Sequence, residues 1–172
     1  MQLQIFISVF MTYKGKYKVV NRHKYKGDAD NVVFRSMWER YCFKWLDLNP
    51  QIKEWCSEEV VIPYFYDIDK SYHRYFVDIK YTTVEGKTFL IEIKPDKQTK
   101  PPTGKRKTKQ YVTEATTYVK NQCKWKAADK YAKDNNYEFQ IWTEHTLQKL
   151  GIMPKPLKPL KPLAPSTDRN RR

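Results

Sequence analysis

Arg74-Tyr-Phe-Val-Asp78-Ile-Lys80, followed after a short gap by Phe89-Leu-Ile-Glu92-Ile-Lys94-Pro95, is the stretch on which the fold turns. Both segments are rich in aromatic and β-branched residues, which predicts strands over Tyr72–Thr83 and Lys87–Lys94 joined around Glu85-Gly86. Residues two apart in a strand share a face, so Glu92 and Lys94 project together while Phe89, Ile91 and Ile93 point the other way. An acid and a lysine on one face of an apolar strand are costly if buried without partners. Pro95 removes the next ladder donor and places the pair at the strand's end.

Whether Asp78 joins them is a question of parity. A two-residue turn at Glu85-Gly86 would set Asp78 opposite Ile93, on the wrong face. A three-residue turn, Val84-Glu85-Gly86, pairs Thr83 with Lys87 and sets Asp78 across from Glu92. Three-residue hairpins favour glycine at the last position, where the chain turns left-handed, and Gly86 stands there. Two carboxylates a few ångströms apart repel unless a proton or cation lies between them. Hard oxygen ligands with open positions suit Mg²⁺ or Mn²⁺, which retain waters and accept phosphate oxygens. A lysine beside such an ion would position a water and offset charge developing on phosphorus. Asp78 and Glu92 are therefore candidate metal ligands and Lys94 a candidate catalytic residue. Glu39 is a further acid, acting on the metal directly or through water.

Outward from this hairpin, apolar pairs at Val33, Phe34, Met37, Trp38, Tyr41, Cys42, Trp45 and Leu46 predict a helix. Asp28 or Asp30 would cap it and Asn49-Pro50 would end it. Ile52–Tyr64, interrupted by Glu54 and by Ser57-Glu58-Glu59 but closing with Val60-Val61-Ile62, reads as a strand. A second helix is expected over Thr108–Asp134, with Tyr111, Ala115, Tyr118, Val119, Cys123, Ala127 and Tyr131 on its buried side. A strand at Tyr137–Trp142 and a short helix over Thr143–Leu150, capped by Thr143, complete the order α-β-β-β-α-β-α. The expected fold is α/β, a mixed central sheet flanked by helices.

The chain has 172 residues, room for one domain and tails. Residues 1–30 read as an N-terminal extension and basic arm, 31–150 as the domain, and 151–172 as a tail. Residues 1–10 lack the basic start and small-residue cleavage site of a signal peptide. They read either as an upstream extension before a functional start at Met11 or as an edge strand. No apolar stretch approaches the length of a membrane span. The three cysteines and three histidines are scattered, with no zinc-site spacing, and fit a reducing compartment.

Lys and Arg number 33 against 19 Asp and Glu, a net charge of +14 that suits a polyanion. From Lys94 to Lys109 the only acid is Asp96, and Lys105, Arg106, Lys107 and Lys109 are candidate phosphate contacts. In the tail, Lys155-Pro-Leu, Lys158-Pro-Leu and Lys161-Pro-Leu repeat with the three-residue period of polyproline II. That suits a docking peptide, a DNA-tracking arm or a plain spacer.

A helix bearing Glu39, a hairpin bearing Asp78, then Glu92-Ile-Lys94 and a helix resemble the restriction-endonuclease-like core of the PD-(D/E)xK nucleases, with Val77 where the eponymous proline would stand. Arg35-Ser-Met-Trp-Glu39-Arg, Ser57-Glu-Glu-Val-Val-Ile-Pro63-Tyr, His73-Arg-Tyr-Phe-Val-Asp78, Leu90-Ile-Glu-Ile-Lys-Pro95, Gln98-Thr, Asn121-Gln-Cys-Lys-Trp125 and Trp142-Thr-Glu144 more closely resemble the head completion nucleases of T-even-type tailed phages, over residues 11–150. The resemblance implies a DNA endo- and exonuclease with Glu39, Asp78, Glu92 and Lys94 at its active site. It also implies portal or connector proteins as partners in finishing heads and joining tails, and a place in the virion, with the host cytoplasm during assembly. A non-catalytic head–tail joining protein and a DNA-binding module without chemistry are the alternatives on the same fold.

Overall fold

The computed structural model describes residues 13–104 and 108–154. Residues 1–12, Lys105-Arg106-Lys107 and the Lys-Pro-Leu repeats lie outside them. Gly15–Lys16 (β1) and Val33–Phe34 (β2) pair as a short ribbon before the first helix, Met37–Leu48 (α1). Five strands follow: Ile52–Ser57 (β3), Val61–Tyr66 (β4), Ser71–Phe76 (β5), Ile79–Thr83 (β6) and Thr88–Ile93 (β7). The long helix Lys109–Asp134 (α2), strand Glu138–Trp142 (β8) and helix Glu144–Lys149 (α3) close the order. The central sheet runs β3-β6-β7-β8, antiparallel except for β8, which lies parallel to β7. No helix among the described residues is long and apolar enough to cross a membrane.

The first helix begins later than its apolar pairs suggest. Val33 and Phe34 belong to β2, and the cap is Ser36, not Asp28 or Asp30. The Ser36 hydroxyl accepts the Glu39 N–H at 3.2 Å and donates to Glu39 Oε1 at 2.9 Å, while Glu39 Oε2 accepts the Arg35 N–H at 2.8 Å. This reciprocal Ser-x-x-Glu box satisfies donors at the helix start that would otherwise be orphaned. Asp28 and Asp30 serve the preceding loop, Asp30 gripping Arg22 through two bonds.

Over residues 13–30 the basic arm is packed onto α1. Val19 and Tyr25 are buried. Asp47, fully buried on α1, accepts the Tyr17 hydroxyl and the Val20 and Asn21 N–H groups. A buried carboxylate with three donors is adequately satisfied, and here it fastens the segment in place.

Two of the expected strands are each broken in two. Glu58, left-handed at φ 58°, separates β3 from β4, and Val77-Asp78 separates β5 from β6. The breaks coincide: Glu58 N–H donates to Val77 O, and Val77 N–H to Val60 O. Both chains bend together there, so the β4–β5 hairpin leaves the central sheet and packs on α2. Two cores result. One, under α1, holds Trp38, Phe43, Leu46, Trp55, Ile79, Ile91 and Ile93. The other, under α2, holds Ile62, Tyr64, Tyr75, Val77, Leu90 and Ala128.

The buried side of α2 is also shifted from the expected stripe. Asn121, Trp125, Ala128 and Ala132 face inward, while Val119, Cys123, Ala127 and Tyr131 are only half-buried. Tyr111, Ala115 and Tyr118 join neither core. At about 1.5 Å per residue the 26-residue helix is about 39 Å long, roughly twice a six-residue strand, so its first half runs past the sheet.

Candidate active site

The β6–β7 turn has the three-residue form. Thr82 pairs with Thr88, Thr83 N–H donates to Lys87 O, and Gly86 takes φ +86°. Ile79 pairs with Ile91, so the next step of the same ladder sets Asp78 beside Glu92. Alternation along β7 sends Ile91 and Ile93 into the α1 core and leaves Leu90 and Glu92 towards α2. Beyond β7, the Lys94 N–H donates to Trp142 O, keeping the strand end in line with β8.

Glu92 is 1% exposed. Its Oε2 accepts the Tyr75 hydroxyl at 2.6 Å, and its Oε1 lies 3.0 Å from Lys94 Nζ. Asp78 Oδ2 accepts the Ile93 N–H at 2.7 Å. Burial, and then the neighbouring Glu92 charge, hold the Asp78 carboxyl well above the usual carboxylate range, with Lys94 opposing. At Lys94 burial pulls downward, but Glu92 and Asp78 outweigh it and the ammonium ends above its ordinary value. Tyr75 is pushed far up by burial, by Glu92 and by Asp78, so its phenol stays neutral and donates.

Glu39 stands at the α1 N-terminus with both oxygens engaged in the capping box. Burial lifts its carboxyl, with Lys94 among the charges acting the other way. Arg35, just ahead of the helix, grips Glu58 through two bonds of 3.0 and 2.9 Å. A cavity of 420 Å³ opens beside that pair, bordered also by Lys14, Tyr25, Asn31 and Glu59. It includes none of Asp78, Glu92 and Lys94, the three side chains whose charges converge.

The donor set fits a hard divalent cation at Asp78 and Glu92. One Asp78 oxygen is free of hydrogen-bond partners among the described residues, and two carboxylates plus waters are an ordinary Mg²⁺ complement. Among the described residues no three His, Cys, Asp or Glu side chains gather into one ion-holding cluster, so Glu39 does not complete a triad with them. Of the basic contacts expected beyond Lys94, Lys109 opens α2 on the surface, while Lys105, Arg106 and Lys107 lie outside the described residues.

Several residues of the site escape the parity argument. In an unbroken strand Tyr75 would point away from Asp78; the break at Val77 turns it onto Glu92. Lys124 of α2 rests with Nζ 5.1 Å from the Tyr75 ring centroid, and burial lowers its pKa. It lies in a block noted only for its resemblance. Glu144 Oε2 accepts the Asp96 N–H at 2.8 Å, tying the turn after Lys94 to α3.

The sequence matches the TnsA-like endonuclease N-terminal family over residues 49–144, from the end of α1 to the start of α3. Among curated proteins it is 43% identical over 148 residues to the head completion nuclease of Enterobacteria phage T4, an alignment covering 83% of this chain and 98% of that protein. The matched region contains the broken hairpin, β7 with its Glu92-Ile-Lys94 end, α2 and β8. The chain thus belongs to the head completion nuclease family, built on a TnsA-like endonuclease core of the PD-(D/E)xK type.

Proposed function

We propose that this chain hydrolyses phosphodiester bonds of DNA, both within and at the ends of strands, in a reaction dependent on Mg²⁺ or Mn²⁺. The convergence of Asp78, Glu92 and Lys94 at the end of β7 carries the reading. A cation held by the two carboxylates would supply Lewis acidity towards a phosphate oxygen. Lys94 keeps its proton at neutral pH, and its ammonium, 25% exposed and anchored to Glu92, orients a water and offsets charge growing on the phosphate. Tyr75 fixes the rotamer of Glu92. Glu39, locked by Ser36 and the Arg35 N–H, adds negative potential at the other side of the strand ends and holds a water there.

The family of the T4 relative supports the same role for this chain: completing phage heads, with DNA and portal or connector proteins as partners, in host cytoplasm during assembly and in the virion. The test is plasmid cleavage by wild type and Lys94→Ala, with Mg²⁺, with Mn²⁺ and with chelator, each variant's fold checked by thermal melting. Wild type cleaves only with metal, and the variant loses on the order of 10²-fold or more. Cleavage persisting in Lys94→Ala would overturn the site. A wild type that binds DNA without cleaving it in any metal would favour a purely structural joining role.

A further inference from the structure

Helix α2 has six lysines and three acids, and the acids are all engaged. Asp129 pairs with Lys133, Asp134 with Lys130, and Glu114 with Lys97 and Gln110. Lys120 and Lys124 have no carboxylate within 4.0 Å among the described residues. Each lies instead over an aromatic ring of the β4–β5 hairpin, Lys124 at 5.1 Å from the Tyr75 centroid and Lys120 at 5.5 Å from the Tyr66 centroid. Lys124 is half-buried as well. Burial of the Lys124 ammonium is unfavourable and is offset only in part by the ring and by the charges of Glu92 and Asp78, none of whose oxygens lies within 4.0 Å; an anion arriving from outside completes the arrangement, and the exposed Lys120 stands ready beside it.

The position says which anion. Tyr75 joins Lys124 on its ring to Glu92 at its hydroxyl, so Lys124 stands one side chain from the candidate carboxylates. Lys120 lies four residues earlier, on the same face of the helix and about 6 Å further along it, towards the end that overruns the sheet. A DNA strand places one phosphate charge per about 3.4 Å of duplex axis, so two lysines with that separation meet different phosphates of one strand.

We propose that Lys124 and Lys120 form a phosphate track, α2 leading one DNA strand along the hairpin aromatics to the Asp78–Glu92–Lys94 site. This rests on the nuclease reading above and adds to it a direction of approach. Lys124 grips a phosphate next to the scissile one, and Lys120 holds one further out. Tyr66 and Tyr75 serve as the rails that keep the two ammonium groups extended.

The experiment measures binding of a fluorescent DNA duplex in chelator between 50 and 200 mM salt, and separately Mg²⁺-dependent cleavage. The proteins are wild type, Lys120→Met, Lys124→Met, Lys124→Arg and Lys126→Met. Lys126 is an exposed lysine of the same helix, about 200° around it from Lys124, and serves as the control. Loss of Lys124 or Lys120 lowers the slope of log affinity against log salt by about 0.9 each, and Lys124→Arg restores it. Lys124→Met also lowers kcat, whereas Lys120→Met mainly raises KM. An unchanged slope in Lys124→Met, or an equal loss in Lys126→Met, overturns the track. A wild type that binds but does not cleave overturns the nuclease reading instead. Melting curves separate either result from misfolding, and retained slope in a folded Lys124→Met counts against the proposal whatever the cleavage rate.

Discussion

Tyr75→Phe removes one oxygen and tests how Glu92 is held. Tyr75 and Glu92 are each 1% exposed, and the hydroxyl lies 2.6 Å from Glu92 Oε2. The phenyl ring keeps the packing against Ile62 and α2, so almost no cavity opens and the loss is the hydrogen bond itself. A buried bond to a charged acceptor contributes about 1.5–3 kcal/mol. For a domain of this size each kcal/mol moves the melting temperature by about 2–4 °C, so Tyr75→Phe in chelator melts about 3–12 °C lower. Cleavage falls as well, by roughly 10–100-fold, since Glu92 keeps only Lys94 as a side-chain partner and loses its orientation. Circular-dichroism melting and the plasmid assay read the two effects. The double-mutant cycle with Glu92→Gln then isolates the pair, and the two losses combine to less than their sum. Unchanged melting within about 1 °C, with unchanged cleavage, would refute the assignment of Tyr75 as the residue that holds Glu92.

Other perturbations follow from the same geometry. The Asp78 and Glu39 carboxyls are both raised in the folded state, so their contribution to stability is full below the ordinary carboxylate range and is lost as pH rises through their folded values. Asp78→Asn, which keeps an acceptor for the Ile93 N–H, should therefore melt higher than wild type at neutral pH in chelator and have a flatter pH profile, while losing cleavage and any stabilisation by Mg²⁺. Ser36→Ala removes the cap of α1 and costs about 1 kcal/mol in denaturant melts; it also frees Glu39 and lowers kcat. At Glu58, φ 58° strains any residue with a Cβ by about 1–2 kcal/mol, and its exposed pairing with Arg35 offsets only about 0.2–1. Glu58→Gly should accordingly be more stable than Glu58→Ala by about 1 kcal/mol, and equal melting of the two would remove the strain argument.

What the sequence reveals of this site is what depends on neighbouring residues. The facing of Glu92 and Lys94 follows from a period of two over four residues, and the Asp78 register from a glycine at the end of a three-residue turn. The mixed sheet between helices is legible for the same reason, since each strand and helix carries its own apolar pattern. The start of α1 is less so: Val33 and Phe34 fit a helical stripe and a strand equally well, and only Ser36-x-x-Glu39 decides between them. Asp47 is opaque, because its donors Tyr17, Val20 and Asn21 stand 26 to 30 residues earlier and nothing local marks them.

The break at Glu58 and Val77 is the least legible feature and the one on which the site depends. No glycine announces it; a glutamate takes the left-handed conformation, and the bend is stabilised by Val77 bonding across to Glu58 and Val60. Had β5 run straight into β6, parity would have kept Tyr75 and Asp78 on opposite faces, leaving Glu92 without the Tyr75 hydroxyl. Because the chain bends, odd-numbered Tyr75 and even-numbered Asp78 both meet Glu92. The same bend lays the hairpin aromatics under Lys120 and Lys124. Glu39 approaches from the α1 core, and Tyr75 and Lys124 from the α2 core, with β7 as the wall between. The acids and cations of the site therefore belong to two separately packed bodies. Their alignment depends on the break, which makes Glu58, although only half-buried and outside both β3 and β4, a determinant of how well the two halves meet.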